Sequence, residues 1–418
     1  MNNRRVVITG TGVVSCVGNT VPTFWDSVVN GRCGIGPITL FDVSEYRTKI
    51  AGEIKDFDIT RFVPAKDAKH MDKFCQYAVA AAHEAIADAG LPMRVEEAGI
   101  DPLRVGVLVA SGIGGMATFS ESVLALENRG PGRVSPFMIP KMISDMASGE
   151  ISILTGAMGP NFGLVSACAS ACHAIGEASW MIRRGDADVM ITGGTEACII
   201  PVGMAGFCAL KAMSTRNDDP LHASRPFDLN RDGFVMSDGA GILVIEELEH
   251  ARKRGANILA EIVGYGASGD AYHMTAPRED GAGAAAAIRS ALRHSGLSVA
   301  DVDYVNAHGT STQLNERCET AALKTVFGAE LAHMSVSSTK GTTGHSLGAA
   351  GGLETIICAK AIATGIVPPT INFETPDPAC DLDVTPNVAR ERKIDVALNT
   401  NLGFGGHNGA ILLARVKD

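Results

Sequence analysis

The sequence predicts an α/β protein built from two copies of one unit, and three observations carry that prediction. Short β-rich runs such as Val105-Gly106-Val107-Leu108-Val109 and Val189-Met190-Ile191-Thr192 alternate with long alanine-rich stretches. Apolar runs without polar alternation belong to strands covered on both faces, the pattern of a sheet packed between helices. The order of elements in the first half then recurs in the second. Finally, the 418 residues are 46% hydrophobic but only 5% aromatic, with 47 glycines, which suits a large core in which helices lie close against sheets.

The recurrence follows the chain. A helical stretch over 81–89 ends at Gly90-Leu91 and precedes the strand at Val105; a second over 284–295 ends at Gly296-Leu297 and precedes Tyr304-Val305-Asn306-Ala307. The turn around Cys168 has its counterpart in Val336-Ser337-Ser338-Thr339-Lys340-Gly341-Thr342-Thr343-Gly344-His345, again strand, small-residue turn and helix. Gly233-Phe234 through Asp238-Gly239-Ala240-Gly241 resembles Gly403-Phe404 through Asn408-Gly409-Ala410. Four elements in the same order indicate a duplication. The predicted halves are residues 1–255 and 256–418, divided after the charged stretch 246–253 near Arg254-Gly255. Such a duplication places equivalent turns near a pseudo-twofold axis and brings Cys168 and His345 toward one cleft.

The formal net charge of −10 argues against a general nucleic-acid binder. The apolar run Val6-Val7-Ile8 is too short for a signal peptide, and no 18 consecutive apolar residues occur, so the expectation is a soluble, cytoplasmic protein that does not enter a membrane. The ten cysteines are scattered, with Cys168 and Cys172 the one close pair, which fits reduced thiols better than a disulfide framework or a zinc site. Val6-Val7-Ile8-Thr9-Gly10-Thr11-Gly12 followed by Gly18 has some likeness to a dinucleotide-binding turn, but the spacing is not Gly-x-Gly-x-x-Gly and no strand-end acid follows at the required distance.

Candidate chemistry centres on Val165-Ser166-Ala167-Cys168-Ala169-Ser170-Ala171. A strand-like run over 162–165 ends in small residues, and a helical run over 173–182 follows. A thiol on that turn meets the unpaired N–H groups and positive end of a helix, which favour a thiolate; a lone cysteine in such a place is otherwise a small buried hydrophobe. His308 ends the strand Tyr304-Val305-Asn306-Ala307, and His345 lies in a glycine-rich turn, both positions where an imidazole meets a ligand. Lys340 precedes His345 on that turn and Glu354 follows on the next helix, either as solvated charges or as an ion pair supporting the site. Phe404, in Leu402-Gly403-Phe404-Gly405-Gly406, is either a packing turn or a hinge with free N–H groups.

Taken together, Ala167-Cys168-Ala169-Ser170, Asn306-Ala307-His308-Gly309-Thr310-Ser311-Thr312, Ser338-Thr339-Lys340 through Gly344-His345, and Gly403-Phe404-Gly405-Gly406 resemble the elongating β-ketoacyl-[acyl-carrier-protein] synthases of type II fatty acid synthesis. The resemblance spans the chain, including Ser214-Thr215-Arg216-Asn217 and Ser224-Arg225-Pro226-Phe227-Asp228. It implies the thiolase fold, five alternating α and β layers from two duplicated halves, commonly as a homodimer. It also implies an acyltransferase in which Cys168 accepts an acyl group, malonyl-carrier protein loses carbon dioxide, and the carbanion attacks the acyl thioester. A ketosynthase of a polyketide or specialised fatty-acid pathway shares these motifs.

Roles follow residue by residue from the same resemblance. The N–H groups of Cys168 and Phe404 would form the oxyanion hole, and His308 and His345 would hydrogen-bond the enolate, where initiating synthases use a histidine and an asparagine. Lys340 and Glu354 would support His345. Thr310 and Thr312 would meet the pantetheine arm; Ile113 and Phe207 would line the acyl pocket, with Phe404 as its gate; Met138 stands where a partner-subunit phenylalanine often enters. Lys66, Lys69, Arg129, Arg133 and Lys211 are the basic candidates for docking an acidic carrier protein. No cofactor or metal is implied, since the substrates arrive on the carrier's phosphopantetheine. Gln313 and Glu316 depart from the family's usual proline and aspartate, while Glu319 is retained.

Overall fold

The computed structural model describes residues 4–417. Among them the main sheet has ten strands. We number these β1 (Val6–Ser15), β2 (Val105–Ala110), β3 (Asn161–Phe162), β4 (Val189–Glu196), β5 (Gly239–Glu247), β6 (Ala260–Gly269), β7 (Tyr304–Asn306), β8 (Ser335–Ser337), β9 (Val396–Gly403) and β10 (His407–Ala414). The helices that matter here are α1 (Lys73–Asp88), α2 (Met116–Arg129), α3 (Ser170–Arg184), α4 (Pro201–Leu210), α5 (Ala282–Ser295), α6 (Gln313–Phe327) and α7 (Ala350–Thr364).

The sheet order is β8-β7-β9-β10-β6-β1-β5-β4-β2-β3, which reads the same from either end once each strand is matched with its equivalent. In each half the three strands farthest from the centre pair in parallel and the remaining pairs are antiparallel. Within the sheet the two halves pair where Val7 and Ile8 of β1 meet Glu261 and Ala260 of β6.

Period-two side-chain alternation sorts the strands into layers. In β5, Ile242 and Val244 face Ala78, Ala82 and Ala85 of α1, whereas Leu243 and Ile245 face the middle layer with Ile175 of α3 and Ile356 and Ile357 of α7. In β10, Ala410 and Leu412 face Ala287, Ile288 and Ala291 of α5, and Ile411 and Leu413 turn to the middle layer. The result is α1, half-sheet, α3 with α7, half-sheet and α5, the five-layered thiolase fold.

Close helix-on-sheet approach accounts for the glycines of the N-terminal strand. A Cβ on Gly10 would lie 2.0 Å from the Ala85 carbonyl oxygen and one on Gly12 1.9 Å from that of Ala81; Gly266 of β6 stands in the same relation to Ala287 of α5, at 2.0 Å. Gly10 and Gly12 lie inside β1 and serve packing, not a phosphate-binding turn. The segment Leu347–Thr364 has the length and mean hydropathy, 1.3, of a membrane-crossing helix, yet 83% of it is buried in the middle layer.

Two expectations about the turns are corrected. The strand before Cys168 is only Asn161–Phe162, at the sheet edge, and α3 begins at Ser170, three residues earlier than expected. The counterpart of the Cys168 turn is Leu347–Ala349, not the segment ending at His345. Ala167–Ala169 and Leu347–Ala349 are both 3₁₀ turns opened by a left-handed residue, Ala167 at φ 51° and Leu347 at φ 47°, and each feeds a 15-residue helix closed by a left-handed glycine, Gly185 or Gly365. Cys168 therefore corresponds to Gly348, and His345 extends toward the axis from just before the second turn.

Candidate active site

Cys168 lies in the 3₁₀ turn running directly into α3. A non-glycine residue in the left-handed region costs about 1 kcal/mol, and the surrounding hydrogen bonds hold Ala167 there. The Ser166 N–H donates to Ser170 Oγ (2.8 Å), and the Ser170 hydroxyl donates to the Ala167 carbonyl (2.6 Å). Buried His173 ties the turn to the other half: its Nε2 reaches the Asn408 carbonyl at 3.2 Å, which assigns the ring proton to Nε2 and leaves Nδ1 to accept the Ser166 hydroxyl at 2.7 Å.

The thiol itself departs from the sequence expectation. Burial pushes Cys168 up to about 12, against the downward pull of Lys340 and of the Phe404 and Cys168 N–H groups. The helix terminus and those N–H groups are in place, but desolvation outweighs them, so the resting group is a thiol.

His308 follows β7 and is fixed through its backbone: its N–H and that of Gly309 donate to the two carboxylate oxygens of Glu319 on α6, at 2.7 and 2.9 Å. His345 is fixed by strand-like bonds to the segment before β5, its N–H donating to the Val235 carbonyl (2.8 Å) and its carbonyl accepting the Ser237 N–H (3.0 Å). The two rings meet edge to face with centroids 5.2 Å apart. Lys340 supports His308 and not His345 as expected: it donates to the His308 carbonyl (2.6 Å), stands 3.4 Å from Nδ1 of the same ring, and is ion-paired with Glu354. Glu354 also accepts the Asn401 amide at 2.6 Å. Burial, and then Lys340, holds both imidazoles well below their ordinary pKa, so both are neutral at neutral pH.

Cys168, His308, His345, Phe404, Thr310, Thr312 and Phe207 line one cleft of about 90 Å³. Phe404 follows β9 in a turn whose Gly405 and Gly406 take φ of 88° and 74°, and a Cβ on Gly403 would lie 3.1 Å from the Cys168 nitrogen. That approach lets the Phe404 and Cys168 N–H groups converge on the sulfur. Lys340 and Glu354 stand behind the wall. Ile113 packs with Cys168 and Phe207 in one apolar cluster beside the cleft. Met138 is half-buried outside the cleft, between exposed Phe137 and Ile139. Lys66, Lys69, Arg129, Arg133 and Lys211 are all exposed.

The departures at 313 and 316 are absorbed locally. Gln313 Nε2 donates to the Arg231 carbonyl (2.6 Å), and the buried Arg231 guanidinium donates to the carbonyls of Thr312 and Gln313 and to Asp377. Glu316 accepts the Ser311 N–H from inside this cluster. Burial pushes it up to about 7, against the pull of Arg231.

Sequence reasoning missed Glu196. Fully buried at the end of β4, it accepts the Ser111 hydroxyl (2.9 Å) and the N–H groups of Gly112 (2.8 Å) and Gly348 (3.0 Å), joining the Ile113 loop to the second-half turn. An acid ending the apolar run Val189-Met190-Ile191-Thr192 was its only trace in sequence.

Comparison with known proteins agrees with this geometry. Residues 3–251 match the family described as "Beta-ketoacyl synthase, N-terminal domain" and residues 259–374 match "Beta-ketoacyl synthase, C-terminal domain". The chain is 52% identical over 408 residues to a Synechocystis protein named 3-oxoacyl-[acyl-carrier-protein] synthase 2, covering 98% of this chain and 97% of that one. Proteins of the same name from Staphylococcus aureus and Coxiella burnetii are 51% and 49% identical, covering 99% and 100% of both chains. Among solved structures, a beta-ketoacyl synthase from Burkholderia phymatum superposes with a TM-score of 0.92 at 35% identity, covering 99% of this chain and 100% of that one. A type II polyketide ketosynthase in complex with its acyl-carrier protein superposes at 0.91 with 34% identity and the same coverage. By matched domains, full-length identity and shared fold, the chain belongs to the β-ketoacyl synthase family.

Proposed function

We propose that this protein is a 3-oxoacyl-[acyl-carrier-protein] synthase that elongates fatty acids by two carbons through decarboxylative Claisen condensation. The observation that carries the reading is the convergence of one cysteine, two neutral histidines and two backbone donors on one cleft. In the first step the Cys168 sulfur attacks the thioester carbonyl of an acyl-carrier protein, and the carrier thiol leaves with the proton. The N–H groups of Cys168 and Phe404 meet the charge on the carbonyl oxygen; removing one such donor costs on the order of 10²–10³ in rate. No base is dedicated to the thiol, so the proton must leave as substrate arrives.

Malonyl-carrier protein then binds with its thioester oxygen toward the two imidazoles. Neutral His308 and His345 donate hydrogen bonds to the enolate oxygen as carbon dioxide departs, and the enolate carbon attacks the acyl-Cys168 carbonyl; the carbon–sulfur bond to Cys168 breaks, the 3-oxoacyl product stays on the carrier protein, and the Cys168 thiolate takes up a proton from water to return to the thiol. A neutral imidazole suits this work because it stabilises the enolate without donating a full proton to it. Thioester exchange and loss of carbon dioxide balance without a redox group or metal, so the reading invokes none. Thr310 and Thr312, with hydroxyls 3.1 Å apart at the cleft, would hold the pantetheine arm.

Identities of 49–52% over the full chain to proteins named 3-oxoacyl-[acyl-carrier-protein] synthase 2, against 34% to the type II polyketide ketosynthase, favour fatty acid elongation over polyketide assembly. Acyl carrier protein is the proposed partner, through the five exposed basic residues. A homodimer is proposed because the sheet ends at β3, whose outer edge pairs with no strand among the described residues, and Phe119, Val123, Phe137, Ile139 and Phe162 expose apolar surface; Met138 would then reach the partner's pocket. The ten free cysteines fit a reducing cytoplasm. The test is condensation of hexanoyl-carrier protein with malonyl-carrier protein, read as the 3-oxoacyl product by mass spectrometry. The expected result is product from the wild type and none from Cys168→Ala.

A further inference from the structure

Glu196 and Gly403 occupy equivalent positions in the two halves. Each is the last residue of an eight-residue strand, β4 or β9, and each pairs with the first residue of the neighbouring strand, Glu196 with Gly239 of β5 and Gly403 with His407 of β10. The turns they face are equivalent as well, since Gly348 is the counterpart of Cys168. At the Cys168 turn Gly403 presents no side chain: a Cβ there would lie 2.7 Å from the Ser166 carbonyl oxygen and 3.1 Å from the Cys168 nitrogen. That leaves the Cys168 N–H for the proposed oxyanion hole. At the Gly348 turn Glu196 sends in a carboxylate, whose Oε2 accepts the Gly348 N–H at 3.0 Å.

The same oxygen accepts the Gly112 N–H at 2.8 Å, while Oε1 accepts the Ser111 hydroxyl at 2.9 Å and the Ile113 N–H at 3.3 Å. None of these partners is a cation, and Glu196 is fully buried. Burial pushes its pKa up, and the four donors pull against that shift. An anion met by converging N–H and O–H donors in a dry site is the arrangement an oxyanion hole offers its substrate. The fit is close, since a Cβ on Gly112 or on Gly348 would lie 2.7 Å from Oε2. The carboxylate also reaches the surroundings of the nucleophile through both partners. A Cβ on Gly112 would lie 3.4 Å from the Ala167 carbonyl oxygen, and Leu347, one residue before Gly348, lines the Cys168 cleft.

We propose that Glu196 is a positioning residue for Cys168: its carboxylate occupies the second half's counterpart of the oxyanion hole and from there fixes the turns beside the nucleophile. The inference rests on the ketosynthase reading above. Duplication supplied two equivalent sets of backbone donors; one meets the substrate and the other meets the chain's own acid. The hydrogen bonds and the charge of Glu196 act differently. Its bonds hold Gly348, and with it Leu347 at a left-handed φ of 47°, against the loop that abuts Ala167. Burial is the main force against a Cys168 thiolate, and the negative charge of Glu196 adds to it. Loss of the acceptor therefore loosens the acyl-transfer site, whereas loss of the charge alone lets the thiol ionise more readily.

The experiment compares Glu196→Gln, which keeps an acceptor for Gly348 and removes the charge, with Glu196→Ala, which removes both. Each variant is checked for native melting, then measured for single-turnover acyl transfer from hexanoyl-carrier protein to Cys168 and, without substrate, for iodoacetamide alkylation of Cys168 at pH 8. The expected result is acyl transfer about tenfold slower in Glu196→Ala but within about threefold of wild type in Glu196→Gln. Alkylation should be about tenfold faster in Glu196→Gln, a change that a purely structural role would not produce. Wild-type transfer in folded Glu196→Ala, equal losses of transfer in both variants, or wild-type alkylation in Glu196→Gln overturns the positioning role and leaves the ketosynthase reading standing. If Glu196→Ala does not fold, Glu196→Gln decides alone: retained transfer with faster alkylation supports the role, and any other pair of results overturns it. A wild type that alkylates at Cys168 but takes no hexanoyl group overturns the ketosynthase reading itself, and the positioning role with it.

Discussion

Lys340 holds His308 from two sides at once, its ammonium nitrogen 2.6 Å from the His308 carbonyl oxygen and 3.4 Å from Nδ1 of the same residue. An ammonium can only donate, so the contact with Nδ1 makes that nitrogen the acceptor and places the ring proton on Nε2. Glu354 and Asn401 close the arrangement from behind. The imidazole is thereby both neutral and correctly tautomerised before substrate arrives.

Lys340→Ala should therefore damage decarboxylation more than acyl transfer. We expect loss of about 10²-fold in condensation rate, comparable with removal of a positioned proton-handling group, while Cys168 still accepts an acyl group. Separate single-turnover measurements of acylation and of carbon dioxide release check this; equal losses in both would contradict it.

The resting thiol of Cys168 gives a pH signature. Because burial holds it as a thiol with a pKa of about 12, the thiolate fraction grows about tenfold per pH unit from pH 7 to pH 10. Alkylation of Cys168 by iodoacetamide should climb through that range without a plateau. A plateau beginning near pH 8 would show that the helix terminus and the two N–H groups outweigh desolvation.

Glu246 links acid stability to the first half of the fold. Burial pushes its carboxyl up, but Arg254, His250 and Thr9 together hold it down to about 2 from an ordinary 4.5. The folded pKa is depressed, so the stabilisation is present above pH 4.5 and is lost as pH falls through 2. Glu246→Gln should cost about 2 kcal/mol near neutral pH, with the difference from wild type shrinking as the solution is acidified below about pH 4. Urea unfolding at a series of pH values reads this directly, and a difference independent of pH would count against it.

Charge reversal at Lys66 and Lys69 should raise KM for carrier-protein substrates several-fold, with a steeper salt dependence in the wild type, and leave melting unchanged. Both residues are exposed. Unchanged kinetics with the carrier substrate would remove them from the docking surface.

The duplicated fold was legible because period and order survive in sequence: apolar runs with no polar alternation marked strands covered on both faces, and the two Gly-Leu stops after helices marked equivalent positions. The pairing of Gly348 with Cys168 was not, since a left-handed alanine and a left-handed leucine share no residue type, only a backbone angle. Cys168, His308 and His345 stood out because strand ends and small-residue turns expose them to a cleft. Glu196 and His173 did not, because their work is done through hydrogen bonds to residues far along the chain, such as Gly348 and Asn408. The protonation of Cys168 was misjudged for the same reason: a helix terminus can be read from sequence, whereas the desolvation that opposes it comes from packing.

The most direct measurement follows the acyl group itself. Wild type, Cys168→Ala, His308→Ala and His345→Ala are incubated with hexanoyl-carrier protein, digested and mapped by mass spectrometry, then given malonyl-carrier protein. We expect the hexanoyl label on the Cys168 peptide in the wild type and both histidine variants, no label in Cys168→Ala, and release as 3-oxooctanoyl product only in the wild type. A label on another residue, a labelled Cys168→Ala enzyme, or wild-type turnover in either histidine variant would contradict the assignment.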